Sequence, residues 1–354
     1  MLPFSRCERD SFRAVIRAGR RPYWAAAPGN AARAQPVGQS MKAIGVTEFG
    51  QPGALQEVDL PEPQAGPGEL RIRVRAAAVN PTDTGLRSGA RAAQLRDIPP
   101  PYVPGMDAAG VLDQIGEGVV TDLAVGDPVM AIVVPLGSHG AYAEYVVVPA
   151  DSVAPQPKGA SHAEAATLPM NGLTVRLALD LLGLQPGQTL AVTGAAGAVG
   201  GYAIQLGKAE GLYVVADAAP ADEQLVRDLG ADLVLPRGDD FPERVRAAVP
   251  GGADGLIDAA LLDELALPAV KDGGVIATVR GYRGPAEPVR GISFHPVMVR
   301  EYAREGTRLD QLRRQAEAGQ LALRVAATMP ARQAADAHRA LEAGGVRGRF
   351  ILEF

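Results

Sequence analysis

The sequence predicts an α/β protein with two modules, a β-barrel followed by a doubly wound parallel sheet. Two patterns carry this prediction. From Met41 to about Pro157, runs that alternate with period two, such as "ELRIRVRAAAVN", are separated by turn-rich stretches such as "PEPQAGPGE". From around Ser161 onward, strands alternate with helices. The chain has 354 residues, which is long enough to bury two cores.

The parallel sheet is predicted from the regularity of this alternation. A helix begins after Ser161, which forms a capping box with Glu164. Strands "TLAVTG", "LYVVAD", "ADLVLP", "GLIDAA" and "GGVIATVR" then follow, separated by helical stretches such as "GAVGGYAIQLGKAEG". Such an alternation builds a parallel sheet through right-handed crossovers. The strands are nearly all apolar, as expected for a sheet that is covered on both faces.

The two ends of the chain are predicted to differ from its middle. The last strands and helix, "LALRVAATM", "ARQAADAHRALEAG" and "GRFILEF", would suit a return to the first module, so we expect a barrel domain of residues 41–160 and 322–354 around a parallel-sheet domain of 161–321. Residues 1–40 contain seven arginines against two acidic residues. Such a start can be a targeting peptide, a disordered extension, or the product of an upstream start codon. Because "MKAIGVTEFG" begins like a first strand, we interpret 1–40 as a disordered extension.

Charge and cysteine content exclude several functions. The formal net charge is −5 and no Lys/Arg stripe occurs after residue 40, which argues against a nucleic-acid partner. No apolar run approaches the roughly 18 residues that cross a bilayer, so no membrane partner is expected. The single cysteine, Cys7, excludes an internal disulfide and a cysteine-rich zinc site. A cytoplasmic protein is the simplest reading of this composition.

The stretch "TLAVTGAAGAVGGYAIQLGKAEG" predicts a dinucleotide-binding loop. It places Ala195-x-Gly197-x-x-Gly200 between a strand and a helix, where backbone amides approach a pyrophosphate that side chains would block. Asp217 ends the next strand, where an acidic residue binds the ribose hydroxyls and repels a 2′-phosphate. Lys208 and Arg227 are cations that favour the 2′-phosphate of NADPH instead. The sequence therefore does not decide between NADH and NADPH. The predicted cofactor-binding residues of this region are Gly194, Ala195, Ala196, Gly197, Ala198, Val199, Gly200, Lys208 and Asp217.

Several motifs together resemble the medium-chain dehydrogenase/reductase superfamily. They are "AAAVNPTDTGLRSG", "YVPGMDAAGVLDQIGEGV", "AYAEYVVVPA", "GLTV" and "EAGGVRGRFILEF", and the resemblance spans Met41 to Phe354. It is closest to the zinc-independent quinone oxidoreductases, including zeta-crystallin-like reductases. The resemblance implies a GroES-like β-barrel domain on a Rossmann domain, with NAD(P)H between them. It further implies that Thr174 contacts the nicotinamide side, that Arg347 and Arg349 hold the phosphate side, and that strand "GGVIATVRG" pairs across a homodimer.

The zinc ligands of metal-dependent relatives are missing from this chain. Asn80 stands in place of a cysteine, Met106 in place of a histidine, and Met170 or Asn171 at the third ligand position. Thioether and carboxamide groups are poor zinc ligands, so no metal is expected. Without a metal to stabilise an alkoxide, the favoured acceptors are quinones and α,β-unsaturated ketones or aldehydes, in which the developing charge is delocalised.

The predicted catalytic residues lie in "NPTDTG". Asn80 could donate a hydrogen bond to the acceptor carbonyl, and Thr82 or Thr84 could relay a proton. Many relatives carry a tyrosine where this chain has Gly85, which removes the obvious proton donor. An enoyl-thioester reductase is therefore an alternative that this glycine makes less favourable, and a non-catalytic NADPH-binding protein, crystallin-like or RNA-binding, is an alternative of another class.

Two structural expectations concern ionisable residues near these candidates. Asp83 and Arg87 are four apart and are predicted to pair on one helical turn. His338 is predicted to face out of an amphipathic helix, and His139 is a weak catalytic candidate in a loop over the cleft.

Overall fold

The computed structural model describes residues 39–135 and 139–354, so the predicted extension lies almost entirely outside the described residues. Residues Ser40–Phe354 form one compact unit. Its strands in chain order are β1 (Ser40–Gly45), β2 (Gln56–Pro61), β3 (Glu69–Ala78), β4 (Asp107–Ile115), β5 (Pro128–Ile132), β6 (Tyr145–Pro149), β7 (Val153–Pro155), β8 (Thr189–Thr193), β9 (Tyr213–Ala218), β10 (Leu233–Pro236), β11 (Ala253–Asp258), β12 (Val270–Thr278), β13 (Ser293–Pro296), β14 (Val325–Pro330) and β15 (Arg349–Glu353).

Nine α-helices lie between these strands within the described residues. They are α1 (Pro81–Arg87), α2 (Ala92–Leu95), α3 (His162–Ala165), α4 (Pro169–Leu182), α5 (Ala198–Ala209), α6 (Glu223–Asp228), α7 (Phe241–Ala248), α8 (Gly306–Glu317) and α9 (Ala334–Glu342). None of them is long and apolar enough to span a bilayer.

The first large sheet has seven strands, is mostly antiparallel and contains the C-terminal strand of the chain, whereas β1 and β2 pair with each other in a separate two-stranded sheet. Strand β3 pairs with β4 and β6, and β5 pairs with β4 and β7. The period-two pattern of β3 buries Leu70, Ile72 and Val74, each no more than 1% exposed. From the C-terminus, β15 pairs antiparallel with β3 and parallel with β14. These pairings support the predicted domain limits, which remain a proposal.

The second sheet has six parallel strands in the order β10-β9-β8-β11-β12-β13. This is the 3-2-1-4-5-6 order of the doubly wound dinucleotide-binding fold. Its switch point lies between β8 and β11, where ligands bind beyond the carboxyl ends of the strands. The residues of β8 from Leu190 to Thr193 are fully buried, as a sheet covered on both faces requires. The predicted fold class is confirmed.

The helix predicted after Ser161 forms, but in two pieces. The capping box is present, with Oγ of Ser161 accepting from the Glu164 N–H at 3.2 Å and Oε2 of Glu164 accepting from the Ser161 N–H at 2.8 Å. Helix α3 ends at Ala165, and α4 begins at Pro169. Proline lacks an N–H and is favoured at the first position of a helix, which explains the new start.

The strand predicted to pair across a dimer is not available for that pairing. Residues Val275–Thr278 of "GGVIATVRG" lie in β12, and β12 is bonded to β11 on one side and to β13 on the other. The exposed edge on this side of the sheet belongs to β13 instead. The specific dimer strand predicted from the resemblance is therefore wrong, because a strand with two neighbours has no free backbone groups for a third.

Candidate active site

Three glycines shape the loop between β8 and α5, each for a different physical reason. Gly194 has a φ of +65°, in the left-handed region that side chains disfavour. Gly197 is the N-cap of α5 and so places no side chain over the helix start. A Cβ on Gly200 would lie 2.2 Å from the Gly194 carbonyl oxygen and 2.6 Å from Cα of Ala195. Gly200 is therefore required for close packing of the helix on the strand.

The start of α5 fits a pyrophosphate group. The first N–H groups of a helix have no intrahelical partner, and here no side-chain cap accepts from them. Gly197, Ala198 and Val199 are only partly buried, so this end of the helix is accessible. Aligned N–H groups and the positive end of the helix dipole form an anion-binding site. Ala195 and Ala196, in contrast, are buried and belong to the framework of the loop.

Asp217 lies at the carboxyl end of β9, as predicted, but its carboxylate is directed into the loop. The side chain accepts from the Ala195 N–H at 2.8 Å and is 4% exposed. Nε of Arg237 lies 3.6 Å from its other oxygen. Burial raises the pKa of this carboxyl, while the N–H groups of Ala195 and Gly194 and the guanidinium of Arg237 oppose that rise. Asp217 thus holds the loop in shape and presents little of its carboxylate to a ribose.

Lys208 does not lie where a 2′-phosphate would be expected. Nζ is 2.8 Å from both carboxylate oxygens of Asp232, and it also donates to the carbonyl oxygen of Leu212. Lys208 lies ten positions after the first residue of α5, which is about 15 Å along the helix axis. Its predicted cofactor-binding role is therefore not supported, because the ammonium group is engaged at the far end of the helix.

Arg347 and Arg349, predicted to act together, have different surroundings. Arg347 forms a two-pronged pair with Asp222, with nitrogen–oxygen distances of 2.5 and 2.6 Å, and its side chain is 36% exposed. Asp222 follows β9 closely, so Arg347 lies near the carboxyl end of that strand. Arg349 is 4% exposed and belongs to a polar cluster on the barrel side.

That cluster joins Arg349 with Asp107 and Asn80, all three almost fully buried. Nη2 of Arg349 donates to Oδ2 of Asp107 at 3.1 Å and to Oδ1 of Asn80 at 2.5 Å. The Asn80 amide nitrogen donates to Oδ2 of Asp107 at 2.9 Å and to the Ala78 carbonyl at 3.3 Å. Both amide protons of Asn80 are thus engaged, so the predicted donation to an acceptor carbonyl is not supported by this geometry.

Asp107 also connects the barrel to the helix that leads toward the parallel sheet. Oδ1 accepts from the Met170 N–H at 2.6 Å, at the start of α4. Thr174, one turn later, donates its hydroxyl to the Met170 carbonyl at 2.7 Å and is 6% exposed. Sequence reasoning treated "GMD" only as a lost ligand motif and missed this role of its carboxylate. The sequence does contain one signal for this role. Asp107 is an acidic residue among apolar strand residues, and a buried carboxylate requires a hydrogen-bonding or charged partner.

The two threonines of α1 differ in one decisive respect. The Thr84 hydroxyl donates to the Pro81 carbonyl at 2.9 Å. The Thr82 hydroxyl oxygen is buried and has no hydrogen-bond partner in the structure. A buried polar atom without a partner is costly, so this hydroxyl is a candidate for bonding a ligand or a reacting group. Of the predicted catalytic residues, Thr82 alone therefore presents an uncommitted group.

Asp83 and Arg87 do not pair with each other, contrary to prediction. Asp83 accepts from the N–H groups of Asn80 and Gly105 at 2.8 and 2.9 Å, and Nη2 of Arg87 pairs with Glu342 of α9. Both side chains are buried, so longer-range partners outweigh a contact along the helix. Asp83 thereby fixes the start of α1 against the loop before β4.

His338 is buried rather than exposed, so that prediction is wrong. Nε2 lies 3.2 Å from the Tyr142 hydroxyl, which in turn lies 3.4 Å from Oδ2 of Asp83. Burial lowers the pKa of His338 to about 4 and raises the pKa of Asp83 to about 6. The face of α9 that carries His338 also carries Glu342, the partner of Arg87, because residues four apart share a helix face.

A pocket of about 240 Å³ lies beside α1. Its wall is mostly apolar and contains Leu86, Leu95, Ile98, Tyr102, Pro135 and His139. Burial lowers the pKa of His139, so the imidazole is neutral at pH 7. Since Leu86 lies one helical turn from Thr82, the pocket and the uncommitted hydroxyl share one helix. Gly85 contributes no side chain to this part of α1. A Cβ at position 85 would contact only Cβ of Ala90, at 4.0 Å.

A glycine loop at the switch point of a parallel sheet in the order 3-2-1-4-5-6 defines a protein of the dinucleotide-binding class. The alcohol dehydrogenase GroES-like domain matches residues 66–158, and the zinc-binding dehydrogenase domain matches residues 229–352. The 2-methylene-furan-3-one reductase of Solanum lycopersicum is 32% identical over 77% of this chain and 71% of its own length. An NADPH-dependent alkenal/one oxidoreductase, chloroplastic, of Arabidopsis thaliana is 33% identical over 69% of this chain and 64% of its own length.

Among solved structures, the quinone oxidoreductase from Coxiella burnetii is 27% identical with a TM-score of 0.78, covering 89% of this chain and all of that one. The chain belongs to the medium-chain dehydrogenase/reductase superfamily, in its quinone-oxidoreductase branch. This confirms both the predicted family and the predicted enzyme class, an NAD(P)H-dependent oxidoreductase.

Proposed function

We propose that this protein transfers hydride from a reduced nicotinamide nucleotide to quinones or to α,β-unsaturated ketones and aldehydes, without a metal ion. The observation that carries the proposal is the buried, unpartnered hydroxyl of Thr82, one turn before Leu86 on the helix that lines an apolar pocket. A hydrogen-bond donor directed at the oxygen on which charge develops is the group that such a reduction needs. The names of the relatives, a furanone reductase and an alkenal/one oxidoreductase, support the same acceptor class.

Different residues bind the coenzyme, polarise the acceptor and position the site. The N–H groups of Ala198 and Val199, at the start of α5, hold the pyrophosphate, and the bound coenzyme supplies the hydride. Thr82 donates its hydroxyl hydrogen bond to the acceptor oxygen. Asn80 is proposed as a positioning residue, since its amide engages Asp107 and the main chain.

The donor set at the former zinc position does not fit zinc. Asn80 uses its amide within the cluster, and Met106 and Met170 offer only thioethers. Within the described residues, no three His, Cys, Asp or Glu side chains are grouped to hold a metal ion. We therefore propose a metal-independent reaction in which conjugation of the acceptor, rather than a Lewis acid, stabilises the developing charge.

NADPH is the proposed coenzyme. Asp217, which would repel a 2′-phosphate, is turned into the loop and neutralised in part by Arg237. The Arg237 side chain is 50% exposed and follows β10, whose end lies beside the end of β9. An arginine at this edge accommodates the 2′-phosphate in NADP-dependent folds of this type. The cytoplasmic location and the homodimer stay predictions.

A direct assay of NADPH oxidation tests the function. NADPH oxidation would be followed with 1,2-naphthoquinone, with enones and enals of increasing size, and with an enoyl thioester, each with and without a chelator. We expect turnover with quinones or enones that the chelator does not change. Tight NADPH binding without turnover on any acceptor would favour the non-catalytic alternative, and turnover confined to the thioester would favour the enoyl reductase. Stoichiometric zinc in the purified, active protein would contradict the metal-free reaction.

A further inference from the structure

Arg324 connects the C-terminal part of the barrel domain to the nucleotide loop. Its main-chain carbonyl accepts from the Arg349 N–H at 3.0 Å, which fixes the residue just before β14. Its guanidinium reaches across 127 residues of sequence. Nη1 donates to the Ala196 carbonyl at 3.1 Å, and Nη2 donates to the Gly197 carbonyl at 2.6 Å. One side chain thus bonds two successive peptide groups of the loop.

We propose that Arg324 is a positioning residue that holds the loop in its coenzyme-binding form; this inference rests on the proposed function. In a trans peptide the C=O and the next N–H point in opposite directions. When the Gly197 carbonyl is held by Arg324, the Ala198 N–H is therefore fixed on the opposite side of the same peptide plane. The Gly197 carbonyl also accepts the first helical bond, from the Gly201 N–H at 2.9 Å.

Gly201 independently supports this role. A Cβ at Gly201 would lie 2.2 Å from Nη2 and 3.1 Å from Cζ of Arg324. The dinucleotide fingerprint requires glycine at position 200 but not at 201, and a glycine inside a helix costs roughly 1 kcal/mol relative to alanine. The missing side chain at 201 is thus explained by the room that the guanidinium needs.

The positive charge of Arg324 also supports a role in coenzyme binding. Among the described residues Arg324 has no carboxylate partner, and Arg347 is a second cation that acts on it. Burial lowers its pKa, yet a guanidinium remains protonated at neutral pH. Its positive charge adds to that of the helix N-terminus, so the loop is prepared for an anionic group.

Binding measurements on four variants test the inference. NADPH affinity would be measured by fluorescence and NADP⁺ affinity by calorimetry for Arg324→Met, Arg324→Lys, Gly201→Ala and the double variant Gly201→Ala/Arg324→Met. We expect the Kd to rise about 10- to 100-fold in Arg324→Met and less in Arg324→Lys, which keeps the charge but cannot reach both carbonyls. Gly201→Ala should match Arg324→Met, and the double variant should be no weaker than either, because the two changes remove the same contact.

Two further readouts separate positioning from general stability. In the coenzyme-free protein, amide exchange at Gly201, whose N–H donates to the Gly197 carbonyl, should become about tenfold faster in Arg324→Met, and the KM for NADPH should rise by a larger factor than kcat falls. The control is Arg314→Met in α8, whose side chain is 72% exposed in a surface pair, and it should change neither quantity.

Two outcomes would overturn the inference, and they are distinguishable. A Kd within twofold of the parent in Arg324→Met, or additive effects in the double variant, would refute the role of Arg324 while leaving the proposed function intact. If the parent protein itself bound neither NADPH nor NADH, the proposed function would fail and the inference with it. Should Gly201→Ala not fold, the comparison of Arg324→Met with Arg324→Lys and the exchange rate at Gly201 in Arg324→Met still decide the question.

Discussion

Nη2 of Arg349 lies 3.1 Å from Oδ2 of Asp107, in a pair of which neither side chain is more than 5% exposed. The pair joins the last strand of the chain to β4, and through the Met170 N–H it reaches the start of α4. A buried ion pair stabilises a fold no more than apolar residues of similar volume would. Removing one member of the pair is nevertheless destabilising, because the other charge is left buried and uncompensated. The attachment of β15 and α4 to β4 therefore depends on both residues.

Arg349→Met should lower the free energy of unfolding by about 3–5 kcal/mol, since it leaves the Asp107 carboxylate buried without its cation. The matched change is Arg347→Met, which breaks a partly exposed pair with Asp222 and should cost no more than about 1 kcal/mol. Urea denaturation of both variants measures the difference. Equal losses would contradict the distinction between the buried and the exposed arginine.

Thr82→Val should lower kcat about 100-fold with little loss of stability. The substitution keeps the shape of the side chain and removes a hydroxyl that has no partner in the protein. Thr84→Val removes a hydrogen bond to Pro81 and should instead cost about 1 kcal/mol of stability with kcat nearly unchanged. Steady-state kinetics and thermal unfolding of the two variants check this. A loss of kcat in Thr84→Val alone would transfer the donor role to Thr84.

The order of the elements was predictable from the sequence because it depends on local patterns. The strand–turn–helix at residues 189–209 and the capping box at Ser161 follow from periodicity and from residue types within one turn. The roles of Asn80, Arg87 and His338 were not predictable, because their partners lie far away in sequence and arrive only when the chain closes. Asn80 bonds Arg349 across 269 residues, and Tyr142 meets His338 across 196.

Two glycine-to-alanine changes should have opposite effects. Gly200→Ala introduces a methyl group 2.2 Å from a main-chain oxygen and should cost about 1–3 kcal/mol and weaken coenzyme binding strongly. Gly85→Ala lies within α1 in open space and should stabilise by about 0.5–1 kcal/mol. Denaturation and NADPH titration of both variants provide the measurement. A stabilised Gly200→Ala that still binds NADPH would show that the loop packs differently.

The two titrating neighbours of Tyr142 should give opposite pH dependences. Burial raises the pKa of Asp83 to about 6, so the folded state binds more protons and Asp83 adds stability as the pH falls from 6 toward 4. Burial lowers the pKa of His338 to about 4, so its contribution is lost as the pH falls from 6.5 toward 4. Each effect is worth about 3 kcal/mol, and in the parent protein they largely cancel.

Single variants separate these contributions. Relative to the parent, Asp83→Asn should lose stability between pH 6 and 4, and His338→Gln should gain stability over the same range. Urea midpoints at three pH values in this window suffice for the comparison. If both variants changed in the same direction, at least one of the two pKa shifts would have the wrong sign.

Arg237→Ala should reduce the preference for NADPH over NADH by about 10- to 100-fold, the effect of losing a charge-assisted hydrogen bond of about 1.5–3 kcal/mol. The reason is that Arg237 offers the exposed cation at the edge where β9 and β10 end, whereas Lys208 is bound to Asp232. The ratio of kcat/KM for the two coenzymes, and inhibition by 2′,5′-ADP compared with 5′-AMP, measure this preference. Arg244→Ala, in a surface pair with Asp240, serves as the control of equal charge. A ratio that is unchanged in Arg237→Ala but altered in Arg347→Ala would place the 2′-phosphate on the other arginine at this edge.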